Sequence, residues 1–133
     1  YRSEGYPKAV TPWFEFTGLQ STGHGRQTPI TVGFVSPKHA VTHGLSDWTT
    51  VKEELYNNSE DRLLNTANAL AAGKQENSKD AVVVWTNTYR EKTRVFATTL
   101  GHNNDTVADA RYLDLVTRGL LWSCGKLDNI HLR

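Results

Sequence analysis

Apolar residues in the second half of the chain follow the clearest patterns. Residues 81–89, AVVVWTNTY, and residues 93–101, TRVFATTLG, are rich in β-branched and aromatic residues, which predicts two strands. The run of apolar residues at the start of the first one lacks alternation and indicates burial on both faces. The link REK between them is short enough for a hairpin. From Val107 to Leu121 apolar residues recur at helical spacing, which predicts a helix that ends at Gly125.

The first half of the chain has weaker patterns. Residues 1–29 are polar and rich in Gly, Pro and aromatic residues, which indicates loops apart from a short helix or extended piece at WFEFTGL. Residues 30–35, ITVGFV, predict a strand. The Thr and Glu spacing in 49–58, TTVKEELYNN, is typical of a capping box, so we expect a short helix there. Residues 61–74 are compatible with a helix or a strand. Together, these elements predict a layered α/β fold.

Composition excludes several classes of function. The formal net charge of +1 comes without a basic stripe, which excludes nucleic acid as an expected partner. No apolar run approaches the roughly 20 residues of a membrane helix, so we expect no membrane insertion. The single cysteine, Cys124, excludes an internal disulfide and a cysteine-based zinc site. The chain contains no methionine, so we expect a functional segment upstream of Tyr1.

His102 occupies a position that is common for working residues. It follows a predicted buried strand and precedes a predicted helix, and sites of layered α/β folds lie beyond the carboxyl ends of strands. Its pKa range suits proton transfer, and a helix N-terminus attracts anions or hydroxyl-rich ligands. A general base, a ligand and a hydrogen-bond donor to substrate all fit this position. So does a turn histidine that caps the helix.

Other histidines are less specific. His39 and His43 have the i, i+4 spacing of a metal pair on a helix, but Pro37 and Gly44 argue against a helix there. We therefore expect no metal site, and the sequence identifies no cofactor. His24 lies in a glycine-rich loop, where a binding role and an exposed-loop role are both open.

Carboxylates and tryptophans have structural alternatives as well. Glu53 and Glu54 are adjacent and therefore point differently, so capping of a short helix competes with direct chemistry. Asp109 is expected to serve helix capping. Trp13 and Trp48 fall in expected loops, where each can stack on a sugar ring or pack into the core.

Several long segments carry a family resemblance. They include YRSEGYPKAVTPWFEFTGLQSTGHG, HAVTHGLSDWTTVKEELYNN, AVVVWTNTYREKTRVFATTLGHNNDT and DARYLDLVTRGLLWSCGKL. Over nearly all of its length the chain resembles the trehalose-utilisation (ThuA-like) family, and in particular its bacterial members. The resemblance implies a flavodoxin-like layered α/β sheet, similar to that of class I glutamine amidotransferases. It also implies a role in sugar metabolism: binding or processing a small trehalose-type or keto-sugar carbohydrate in a cleft at the strand ends. Both a cytoplasmic and an exported location stay open.

The resemblance sharpens the interpretation of His102. In the amidotransferase relatives a strand ends in His-Pro-Glu, and the histidine serves a cysteine nucleophile. The corresponding run is His102-Asn103-Asn104, so the histidine matches while Asn104 replaces the acid. The nucleophile elbow would lie upstream of Tyr1. A Cys-His-Glu triad is therefore not expected in that form.

The resemblance also suggests partners for His102. His24 matches the histidine after the family's FTG segment, and Glu54 lies in a segment similar to the family's DELY. We expect His102 to be catalytic or to orient substrate. His24, Glu54, Asn103 and Trp13 are the expected substrate-binding residues.

The length of the family's domain leads to one further expectation. A full ThuA-like domain is roughly twice as long as this chain, within the usual domain sizes. Residues 1–133 are thus expected to be the C-terminal portion of a single domain, with an incomplete sheet. A second copy of the chain or a missing N-terminal half would then cover the exposed edge. A non-catalytic binding or structural module, or a fragment of a larger assembly, is the alternative to an enzyme.

Overall fold

The computed structural model describes residues 11–58 and 62–127 of the chain. Residues 1–10 of the segment predicted as mostly loop lie outside this part. In the described residues, helices and strands alternate in the order α1 (Pro12–Thr17), β1 (His24–Phe34), β2 (Trp48–Tyr56), β3 (Ala67–Lys74), β4 (Ala81–Tyr89), β5 (Thr93–Thr98), α2 (Asn104–Ala108) and α3 (Ala110–Ser123).

The strands of the described part form one sheet in the order β2-β1-β3-β4-β5, and each neighbouring pair is antiparallel. The hairpin predicted between the two late strands is confirmed, with Trp85 opposite Ala97 and Tyr89 opposite Thr93. The first seven residues of β4 are all buried, as the lack of alternation predicts. The strand predicted at 30–35 is the second half of β1, and the ambiguous segment 61–74 contains β3.

The short helix predicted at 49–58 is wrong, because this segment is β2. The capping box is a local signal, and pairing with β1 overrides it. Thr50 shows how: its hydroxyl accepts a hydrogen bond from the Ile30 N–H at 2.9 Å, on the neighbouring strand. Glu53 lies opposite Thr28 in the same ladder. The threonine that would cap a helix therefore stabilises a strand pair instead.

Helices cover both faces of the sheet, which confirms the α/β class. On one face Ile30, Leu70 and Val83 form a core with Leu115 of α3. On the other face Leu19, Ala69, Val82 and Trp85 form a smaller core, and α1 packs against β4 and β5. Each apolar strand residue thus has a helix or loop to pack against.

The helix predicted after His102 is divided into α2 and α3. The break is at Asp109, which has extended backbone angles and caps α3 through a bond from the Arg111 N–H to its carboxylate at 2.8 Å. This confirms the capping role expected for Asp109. The predicted end is also confirmed, because Gly125 follows the helix with φ +67°.

The sheet is closed at one end by the chain that leaves β2. Asn58 crosses to β4, where its carbonyl accepts the Val82 N–H at 2.8 Å and its side chain donates to the Val82 carbonyl at 3.1 Å. The helix α2, which follows β5, packs against β2. The two edges of the sheet therefore meet at this end, and the residues discussed below lie there.

Candidate functional site

Five polar side chains meet where the two sheet edges come together, and the Glu54 carboxylate is at their centre. Tyr56 donates to its Oε2 at 3.0 Å, and Gln27 donates to its Oε1 at 3.1 Å. His24 Nε2 lies 3.6 Å and His102 Nδ1 lies 3.5 Å from Oε2. We call these five residues the Glu54 cluster. It brings together three residues that the sequence points to, from β1, β2 and the turn after β5.

The two ring nitrogens of His102 have different partners. Nδ1 faces Glu54, whereas Nε2 lies 2.9 Å from the side-chain nitrogen of Gln27. With the Gln27 amide oriented so that its nitrogen also serves Glu54, that nitrogen can only donate, so Nε2 of His102 accepts and Nδ1 carries the proton. A neutral imidazole in this tautomer can take up a proton at Nε2. The side chain is 46% exposed, so a ligand can reach it.

Glu54 is held in its charged form. It is only 7% exposed, and burial on its own raises the pKa of its carboxyl. The hydrogen bonds from Gln27 and Tyr56, followed by the charges of His24 and His102, outweigh burial, and the net pKa is below the ordinary value. Near neutral pH the cluster therefore presents a carboxylate to two imidazoles.

The neighbouring Glu53 points to the other side of β2 and is fully buried. Its carboxylate accepts three successive backbone N–H groups: Gly101 at 3.3 Å, His102 at 3.1 Å and Asn103 at 3.0 Å. Gly101 has φ +108°, which turns the chain so that these amides converge. The Glu53 charge acts after burial to raise the pKa of Tyr112. Glu53 thus fixes the backbone that carries His102.

Sequence reasoning missed Gln27 and Tyr56 and gave Glu53 a different role. The signal for Tyr56 is its place two residues after Glu54, since alternate residues of a strand share a face. This signal was hidden by the helix predicted at 49–58. Gln27 comes from β1, and only the pairing of β1 with β2, Gln27 opposite Glu54, brings it to the cluster.

The other predicted site residues lie outside the Glu54 cluster. The side-chain oxygen of Asn103 accepts the Asp105 N–H at 2.9 Å and caps α2. Trp13 is on α1, 60% exposed, and lines a separate cleft of about 530 Å³ that Tyr56 also lines. Trp48, the alternative stacking residue, is buried in the core. The substrate-binding roles of Asn103 and Trp13 stay predictions.

His39 and His43 lie in a turn between β1 and β2. His39 accepts the Val41 N–H through Nδ1 at 3.2 Å and packs its ring on Trp122. Burial, and then the charge of Arg94, lower the pKa of His39. In residues 11–58 and 62–127, no group of three or more His, Cys, Asp and Glu side chains is placed to hold a metal ion. The helices of this part are all too short or too polar to cross a membrane.

The chain matches a known family over most of its length. The sequence model of the family described as trehalose utilisation, ThuA, matches residues 4–123. No curated protein matches the chain.

Two solved structures share the fold. A ThuA-like protein from Bacteroides uniformis superposes with a TM-score of 0.68 and 20% identity, over 89% of this chain and 53% of that one. A ThuA-like protein from Parabacteroides merdae superposes with a TM-score of 0.66 and 23% identity, over 86% and 55%. The chain thus spans about half the length of these proteins. With the family model covering nearly all of its residues, the chain belongs to the trehalose-utilisation (ThuA-like) family.

Proposed function

We propose that the chain binds and processes a small carbohydrate, with His102 as the acid–base group. The observation that supports this most is the pairing of an exposed imidazole with a buried, charged carboxylate, His102 Nδ1 to Glu54 Oε2 at 3.5 Å. Such a pair fixes the tautomer of the histidine and stabilises the imidazolium that forms when it accepts a proton. A sugar hydroxyl is a suitable proton donor to this group.

The carboxylate partner of His102 comes from a different strand than in the amidotransferase motif. Asn104 stands where those relatives have the acid, two residues after the histidine. In the Glu54 cluster the acid is supplied by β2 instead. This arrangement supports proton transfer by His102 without requiring a cysteine nucleophile.

Proton transfer at the cluster can be written with defined atoms. A substrate hydroxyl takes the place of the Gln27 amide at Nε2 of His102, and its proton moves to Nε2. The new positive charge on the ring faces the Glu54 carboxylate, which stays ionised. His24, on the other side of Glu54, is close enough to donate to a second oxygen of the same ligand.

The test is His102→Ala in the intact protein that contains this chain, with turnover of a keto-disaccharide as the activity. We expect kcat to fall at least about 100-fold, the usual contribution of a positioned acid–base group, while calorimetric affinity changes by no more than a few fold. The matched control is His43→Ala, a histidine outside the cluster. Unchanged turnover in His102→Ala would remove His102 from the mechanism.

A binding module without turnover is the second candidate. The contact of Gln27 with His102 Nε2 favours it, because that nitrogen already has a partner. It predicts that the wild-type protein binds the sugar and leaves it unchanged. The proposed partners, a second copy of the chain or an N-terminal half of the domain, apply to both candidates.

A further inference from the structure

A second cleft lies on the α1 side of the sheet, next to the Glu54 cluster. Its volume of about 530 Å³ is within the usual range of small-molecule sites. Aromatic rings form much of its wall, and the described residues that line it include no charged side chain: they are Trp13, Phe16, Thr17, Leu19, Gln20, Ser21, Tyr56, Asn58, Trp85, Val95, Phe96, Ala97, Thr98 and Thr99. A lining of this kind suits a neutral ligand with an apolar face.

Two lining side chains have polar atoms without partners. Gln20 is only 7% exposed, and no donor of the described residues reaches its side-chain oxygen. The buried hydroxyl of Thr99 has no partner in the same part of the chain. Buried polar groups are nearly always hydrogen-bonded, so both atoms call for a partner. A ligand hydroxyl can donate and accept, and the terminal torsion of Gln20 is soft enough for its amide to turn toward one.

The aromatic side of the cleft offers a stacking surface. Trp13 is 60% exposed although it is the largest apolar side chain of α1, and its ring lies 6.0 Å from that of Phe16. Trp85 is fixed deeper in the cleft by a hydrogen bond from its ring N–H to the Thr17 carbonyl at 2.7 Å. Rigid aromatic rings beside unpaired polar groups suit a ring that is apolar on its face and hydroxylated at its edge.

Tyr56 joins this cleft to the Glu54 cluster. Its side chain lines the cleft, and its hydroxyl donates to Glu54 Oε2 at 3.0 Å. A ligand that contacts the cluster and extends past Tyr56 would therefore enter the cleft. Two rings joined by one linkage have the shape that this path requires.

We infer that the α1-side cleft binds the second ring of a two-ring neutral carbohydrate whose first ring lies at His102. Trp13 stacks on the second ring, and Gln20 and Thr99 bond its hydroxyls. The inference rests on the proposed function for the position of the first ring. It names the substrate class: a neutral disaccharide or a glycoside of similar size, rather than a free monosaccharide.

Calorimetric titrations of the intact protein with trehalose and with glucose test this inference, on Gln20→Met and Trp13→Ala. We expect each variant to bind trehalose about tenfold more weakly, as for the loss of one good contact, and glucose as the wild type does. Gln20→Met should also raise the melting temperature, because it removes an unpaired buried amide. A purely structural Gln20 would not combine higher stability with weaker binding. The matched control is Leu120→Ala, an exposed apolar residue on α3, which packs on the other face of the sheet.

Each other outcome overturns the inference. Trehalose binding that is unchanged in both variants shows that the cleft is not used, and an equal loss for both sugars places the first ring there instead. The same result follows if neither sugar binds to the wild type. His102→Ala separates the two proposals, because it removes turnover without changing the trehalose preference of the cleft. If turnover is unaffected in His102→Ala but the cleft variants still lose trehalose, only the proposed role of His102 fails.

Discussion

At the scale of single residues, Glu53 and Glu54 show how a strand divides two identical side chains between two tasks. Because alternate residues face opposite sides, Glu54 meets the rings of His24 and His102, whereas Glu53 meets backbone amides. One carboxylate sets the protonation of the histidine ring, and the other sets the position of its backbone. Together they replace the acid that is missing at Asn104.

The lowered pKa of Glu54 leads to a prediction about stability and pH. The folded protein holds this pKa below its ordinary value of 4.5, so folding favours the ionised form. The stabilisation is fully present above about pH 4.5 and is lost as the pH falls through the folded pKa. We expect Glu54→Gln to show a shallower loss of unfolding free energy in this window, measured by urea unfolding at a series of pH values.

The control for this titration is Glu76→Gln, since Glu76 is an exposed carboxylate of the turn between β3 and β4. It should reproduce the wild-type dependence on pH. His24, His102 and Tyr56 face Glu54 in both the wild type and the control, so their titration cancels in the comparison. Parallel curves for wild type and Glu54→Gln would show that Glu54 is not held ionised by its neighbours.

At the scale of elements, sequence patterns were reliable where long-range pairing agreed with them. β4 matches its predicted bounds, and the hairpin to β5 follows from a three-residue link. β2 was missed because its Thr and Glu spacing favours a helix locally, and only the pairing with β1 decides otherwise. The helix after His102 was expected in one piece, but Asp109 starts a new cap within it.

The packing of α3 shows a further limit of periodicity. Leu113 and Leu120 helped to define the helical pattern, yet they are 49% and 62% exposed. The helix instead turns Leu115 and Gly119 toward the sheet. Apolar spacing therefore identified the helix but not its buried face, because a glycine that allows close approach carries no hydrophobic signal.

Gly119 gives the prediction that belongs to this scale. A Cβ at this position would lie 2.3 Å from the Phe96 ring of β5. We expect Gly119→Ala to destabilise the protein, because overpacking costs about 1–3 kcal/mol and exceeds the roughly 1 kcal/mol of helix propensity that alanine adds. Chemical unfolding measures the difference. Thr117→Ala, at an exposed position of the same helix, adds propensity without the clash and should be slightly stabilising. Gly119→Ala that stabilises as much would show that α3 does not pack closely on β5.

At the scale of the whole molecule, the candidate site depends on the curvature of the sheet. The edges of a flat five-stranded sheet would lie about 19 Å apart, at about 4.8 Å per strand. Yet Glu54 of β2 and His102, which follows β5, are 3.5 Å apart. The sequence identified both residues through their position and the family resemblance. Their contact could not be predicted, because it depends on how all five strands twist and on the crossing of Asn58 to β4.

Glu53 is the residue that fastens the two edges together, which makes it the sharpest test of this arrangement. Its carboxylate holds the amides of Gly101, His102 and Asn103 from across the molecule. In Glu53→Gln the side chain keeps its shape, but an NH₂ group faces amide donors, and bonds to a charged acceptor are lost. We expect a loss of about 3 kcal/mol in unfolding free energy. Amide hydrogen exchange at these three residues should become faster.

Glu54→Gln separates this role from that of the neighbouring carboxylate, because it leaves the Glu53 bonds intact. We expect it to preserve slow exchange at the three amides near neutral pH while removing the charged partner of His102. Glu53→Gln should reduce the activity as well, since a loosened turn displaces the His102 ring from Glu54. Equal exchange rates in Glu53→Gln and the wild type would show that the turn is held by α2 alone. The closure of the sheet would then contribute nothing to the position of His102.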